Sequence, residues 1–147
     1  MYSVFNIANW FLSRQEMTHK KLQKLCYYAQ AWSYALYNRP IINAEFQAWV
    51  HGPVCPQLYQ KYKGKGFQDL VCEEPPPLFS TENEELLESV MLTYGDYTGN
   101  ALEALTHKEL PWIEARGNLG ASENSENIIK PETMRKYYQS IYDGGEV

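Results

Sequence analysis

Hydrophobic positions recur at helical spacing over most of this chain and alternate over one short stretch. Val4, Ile7, Ala8, Phe11 and Leu12 stand at i, i+3, i+4, i+7 and i+8, one face of a helix, with Ser3 where an N-cap belongs. Thr18 caps a longer second helix that runs to about Tyr37, with Leu22, Leu25, Cys26, Ala29, Ser33 and Leu36 as its inner stripe. Tyr27, Tyr28, Trp32, Tyr34 and Tyr37 spread around the rest of its circumference. A helix apolar nearly all round is buried by its neighbours, so this one is expected at the centre. Pro40 ends it.

The period then changes. Ala44, Phe46, Ala48 and Val50 alternate with Glu45, Gln47 and Trp49, which predicts a half-buried strand with Ile41 and Ile42 as its partner. Gly52-Pro53-Val54-Cys55-Pro56 reads as a corner leading into a short helix over residues 57–62. Residues 67–80, with three consecutive prolines, read as a loop or extended linker. Thr81-Glu82-Asn83-Glu84 predicts a capping box for a helix with Leu86, Leu87, Val90, Met91 and Tyr94 on one face, and Gly95 a left-handed stop. Further helices are expected from Gly99, from Pro111 and from Pro131, with an exposed loop over residues 117–127. The expectation is a mainly α fold, a single compact helical domain over residues 1–147 with a small β-hairpin or short strands around residues 41–50.

A length of 147 residues, 44% of them hydrophobic and 21% charged, fits one soluble domain that buries its core without disulfide or metal staples. No apolar run approaches the ~18 residues of a membrane span, and the N-terminal stretch lacks the marks of a signal peptide. Three cysteines without framework spacing fit a reducing cytoplasm. The net charge of −5 hides a division: residues 1–66 carry +6 and residues 67–147 carry −11. With a pI near 5.2 and no arginine-rich stripe, nucleic acid is the weaker partner class. Opposite charge on two halves suits a protein partner with its own charged patch.

The stretch AWVHGPVCP (residues 48–56) sets His51 and Cys55 four positions apart. Gly52 and Pro53 between them remove the helical geometry that would aim one at the other, so a structural corner explains more of the residues than a nucleophile and its base. Cys26, Cys55 and Cys72 form no CxxC, and His19, His51 and His107 pair with none of them at ligand spacing, so no zinc site is expected. No phosphate loop or dinucleotide motif occurs, and no cofactor is implied. The acids Glu82, Glu84, Glu85 and Glu88 complement a helix N-terminus. In THKELPW (residues 106–112), Thr106, His107 and Glu109 read as the end of one helix and the start of the next, with Trp112 packed inside. No catalytic constellation emerges.

The stretches KLQKLCYYAQAW (21–32), FQAWVHGPVCPQLYQKYKGKG (46–66) and YGDYTGNALEALTHKELPW (94–112), followed by IEARG (113–117), together resemble the Panacea domain of SocA-like, phage-associated proteins. The resemblance runs from about residue 3 to residue 142. It implies an antitoxin, not an enzyme, that neutralises a co-encoded toxin by direct protein binding, the toxins being of many classes. In one branch it also implies an adaptor that delivers its toxin to an AAA+ protease, and an adaptor or regulator without a cognate toxin is the alternative. Many relatives carry an additional N-terminal DNA-binding module, which this chain does not show, so operator binding is not expected. For a partner-binding surface, the candidates are Trp49, His51 and Tyr59 around the corner and Lys20, Lys21 and Lys24 on the second helix, since exposed Trp and Tyr on a rigid corner favour a binding hot spot. Trp49 as a core residue is the competing reading.

Overall fold

The computed structural model describes residues 1–144, and among them seven helices form, the second of which lies at the centre. Helix α1 (Val4–Arg14) starts at Ser3, whose hydroxyl accepts the Asn6 N–H. Helix α2 (His19–Tyr37) follows a two-residue strand β1 (Met17–Thr18) and starts in the same way, with Thr18 accepting from Lys21. The expected central position holds. Helix α2 packs against α1, against α4 (Thr81–Tyr94), α5 (Gly99–Thr106) and, most extensively, α7 (Pro131–Gly144). Leu22, Leu25, Cys26, Ala29 and Ser33 of its stripe are buried, whereas Leu36, next to the last residue of the helix, is 39% exposed.

A helix this aromatic must find partners for its phenol hydroxyls. Tyr28 donates to the Glu109 carboxylate at 2.7 Å, and Tyr138 on α7 donates to the same oxygen at 2.8 Å. Tyr27 and Tyr138 share a hydrogen bond of 3.1 Å, and the Trp32 indole donates to Tyr94. The Tyr28 and Tyr94 rings stack with centroids 3.9 Å apart, which couples α2 to α4. Glu109 immediately precedes the short helix α6 (Leu110–Arg116), so one buried carboxylate ties α2, α6 and α7 together.

The β element lies a few residues beyond its expected place. Strand β2 (Gln47–Trp49) pairs antiparallel with β3 (Gly52–Val54), with Trp49 opposite Gly52 and Gln47 opposite Val54. The expected partner, Ile41-Ile42, is held elsewhere. Its two N–H groups donate to the Gln30 side-chain oxygen, and Tyr2 bridges Ile42. The free edge of β2 is taken by residues 127–129, through Ala48 N–H to Asn127 O and Ile129 N–H to Phe46 O, both 2.8 Å. Proline at position 53 removes a donor from β3 without harm, because that strand is an edge.

Helix α3 (Pro56–Tyr62) follows the hairpin, and β4 (Asp69–Leu70) returns to pair with β1. Two further expectations need correction. The cap of α4 is Ser80, accepting from Asn83, and not a box closed by Thr81 and Glu84. Glu84 instead accepts from the Trp10 indole and from Arg14 on α1. Gly95 is right-handed, with φ −64°, and the chain turns there because the buried Lys21 ammonium donates to its carbonyl. A cation at a helix C-terminus does the work expected of a left-handed glycine.

Candidate functional site

Three buried side chains, Gln23, Trp112 and Arg116, fix the hairpin against the helices through hydrogen bonds to its backbone. On α2, Gln23 accepts the Cys55 N–H at 2.9 Å and donates to the Cys55 carbonyl at 3.3 Å, pairing with the backbone as a strand would. From α6, the Trp112 indole donates to the Trp49 carbonyl at 2.8 Å. Arg116, 4% exposed, donates to the carbonyls of Ala48, Gly120 and Glu123, so the loop after residue 117, exposed as expected over most of its length, is tied back beside β2. Gly52 adopts φ +108°, where a Cβ would lie 2.6 Å from Lys24 Cε. The close approach of backbone to lysine is what the glycine of this corner permits.

Between the start of α2, the hairpin, the end of α3 and the loop at residues 122–126 runs a groove of about 690 Å³. Five of the six candidate contact residues line it: Lys20, Lys24, Trp49, His51 and Tyr59. The Trp49 and Tyr59 rings meet edge to face with centroids 4.8 Å apart, and both are half-buried. Trp49 is held through its carbonyl and its contact with Tyr59, and it also lines the groove. His51, at the hairpin turn, is exposed and faces Glu103 through Nδ1 at 3.1 Å, and Lys20 meets the other Glu103 oxygen at 2.6 Å. Burial opposes the charged form of Glu103, but the hydrogen bonds from Lys20 and His51 outweigh it and hold the carboxyl below its ordinary value.

Lys24 forms the floor of the groove and is 1% exposed. Burial pulls its ammonium down to about 7, with Glu103 opposing and Lys20 reinforcing the shift. His19, which lies against Tyr59 and accepts from Gln23, is held at about 4 by burial and by Lys24. Lys21 is the candidate that lies apart. One residue along from Lys20, it turns away from the groove to Gly95 and Gln15. Helical geometry explains the split, because residues 20 and 24 share a face and residue 21 does not.

His51 and Cys55 do not engage one another. The Cys55 thiol donates to Gln57 at 3.2 Å and is pushed up by burial, while His51 pairs with Glu103. Among the described residues, no three His, Cys, Asp or Glu side chains gather in a way that would hold a metal ion, and no helix is long and apolar enough to cross a membrane. What the groove presents is a rigid aromatic wall, a basic floor and rim, and backbone held on three sides.

The comparisons with known proteins agree on a class. The chain belongs to the antitoxin SocA-like, Panacea domain family, whose model matches residues 22–113. It is similar to the antitoxin SocA of Caulobacter vibrioides (strain NA1000 / CB15N), with 31% identity over 117 residues that span 67% of this chain and 62% of that relative. No solved structure matches it.

Proposed function

We propose that this protein is the antitoxin of a toxin–antitoxin pair and neutralises a co-encoded toxin by direct, non-enzymatic binding in the cytoplasm. The observation that carries this reading is the family match, which spans the hairpin, α3 and most of α2, and so includes most of the groove. The groove supports it through its residue types: half-buried Trp and Tyr on a rigid scaffold, ringed by polar groups, are the anchors that dominate protein interfaces. The proposed contact surface is Trp49, His51, Tyr59 and Lys20, with Lys24 beneath them and Lys21 holding the end of α4 in place.

Co-expression with the neighbouring gene product tests the reading. The neighbour alone is expected to arrest growth, and this protein to restore growth and co-purify with it. Trp49→Ala should weaken the complex about tenfold or more, as loss of an aromatic anchor does. Growth restored without association defeats direct neutralisation and favours a regulator, while association that depends on a cellular protease for rescue favours the adaptor.

Cys55→Ala separates binding from catalysis. Its thiol engages only Gln57 and the Leu58 backbone, so the variant should lose about 1 kcal/mol of stability and keep both rescue and association. Abolished rescue in a variant that still folds and binds would make the cysteine a reactive group.

A further inference from the structure

Lys24 is a buried ammonium with too few partners. It has three N–H donors to satisfy, yet Nζ donates to a single acceptor, the Pro53 carbonyl, at 3.3 Å. Glu103 is the carboxylate that acts on it, but the two Glu103 oxygens face Lys20 and His51. A buried cation left in this state is costly, and an apolar side chain of similar volume would fill the space at less cost. An anion entering the groove would supply a partner for it. The bond to Pro53 is at the long end of the range, and the flexible lysine stem can turn Nζ from it toward the groove.

We propose that the groove receives an acidic side chain of the protein partner, its carboxylate pairing with Lys24 while a neighbouring apolar side chain rests on Trp49 and Tyr59. The inference rests on the antitoxin reading and names what the partner presents there. Charge complementarity supports it, since Lys20, Lys24 and Lys63 line the groove against a single acid, Glu126. A polyphosphate backbone would need a row of exposed cations along a track. Here one cation lies beneath the hairpin and the other half of the chain carries −11, so a single carboxylate fits better than a nucleic acid.

The same arrangement gives the contact a pH dependence. Lys24 is held at about 7 in the free protein, so a carboxylate that restores its charge draws a proton onto it above that pH. Binding should therefore weaken as pH rises from about 7 to about 9. The charged groups around it are Lys20 and His19 on α2, His51 in the hairpin turn, Glu103 and His107 at α5, and Lys63 and Glu126 on the rim. Burial holds His19 and His107 below the ordinary histidine value, so neither supplies a proton uptake above pH 7.

The test is a nuclear magnetic resonance titration of the ¹⁵N-labelled full chain with an acetylated, amidated peptide of alternating glutamate and leucine. Its glutamine counterpart and single-stranded oligothymidylate serve as comparisons. The glutamate peptide is expected to shift the Trp49 indole and Gly52 amide signals and to bind about tenfold or more tighter than the glutamine peptide. Lys24→Met should remove that preference and the pH dependence, and Lys136→Gln, on the exposed face of α7 away from the groove, should leave both in place. Equal binding of the two peptides, no binding of either, tighter binding of oligothymidylate, or equal losses from Lys24→Met and Lys136→Gln would each overturn the inference. Association with the co-encoded protein is measured in parallel. If Lys24→Met still associates fully and the peptide does not bind, the groove inference fails alone. If the peptide binds as expected and the co-encoded protein does not associate, the antitoxin reading fails alone.

Discussion

Gly52→Ala is expected to destabilise the protein by about 3 kcal/mol, the sum of a strained backbone and a steric conflict in the same place. At φ +108° an L side chain is disfavoured by its own backbone, and the added methyl would lie 2.6 Å from Lys24 Cε and 3.0 Å from the Thr106 hydroxyl. The lysine can retreat only by giving up the Pro53 carbonyl, and the hairpin can retreat only by giving up the Gln23 pairing with Cys55. In thermal unfolding this should lower Tm by roughly 10 °C for a chain of this size. A double-mutant cycle separates the two contributions. Lys24→Ala combined with Gly52→Ala should recover the steric part and leave the backbone part, so the two losses are expected to fall short of additivity. A Gly52→Ala variant within about 0.5 kcal/mol of the parent would mean that the corner is not built as described. Because Trp49 stands directly opposite Gly52 in the hairpin, the same substitution should weaken partner association even in molecules that remain folded.

The hairpin also shows where the sequence was readable and where it was not. Helices α1, α2 and α7 were legible because their apolar positions follow one period and their caps are local, Ser3 and Thr18 being bonded within three residues. The strand around residues 44–50 was legible in kind but not in partner. Its edges are settled by residues 127–129 and by Gln30 and Gln23, and a side-chain amide that pairs with backbone from another element leaves no periodic mark. Likewise the composition of residues 117–127 reads as solvent-exposed loop. Only the buried Arg116, with its three carbonyl acceptors, reveals that part of this loop forms a wall of the groove. Of the candidate contacts, the aromatic and histidine positions were readable from residue type and the stiffness of the corner. Lys24 was readable as a cation but not as a buried one, since its burial depends on a glycine of another element lying over it. Glu109 was read as a helix opener, and its inward carboxylate was missed. The available signal was the density of tyrosines on α2, whose buried hydroxyls require acceptors that α2 itself does not supply.

That carboxylate carries the second large effect. Glu109→Ala is expected to cost about 3 kcal/mol or more, because it leaves the Tyr28 and Tyr138 hydroxyls buried without their acceptor and opens a void between α2, α6 and α7. Glu109→Gln keeps an acceptor oxygen and removes the charge, so it should be tolerated, and the comparison of the two variants isolates the hydrogen bonds from the volume. The pH dependence then isolates the charge. Burial raises the Glu109 carboxyl above the ordinary 4.5, and the bonds from Tyr28 and Tyr138 offset this only in part. The folded protein therefore holds the proton at pH values where the unfolded chain has released it. Stability from this group is fully present below about pH 4.5 and is lost as pH rises through the raised folded value. In urea unfolding, the parent should accordingly lose ground to Glu109→Gln as pH increases from about 4 toward 8, and the gap should level off once the folded carboxyl has ionised. A gap that stays constant across that range would show that Glu109 titrates alike in the folded and unfolded chains. A gap that widens toward acid would show that the core holds a charge, with the tyrosine hydroxyls stabilising the carboxylate more than burial opposes it.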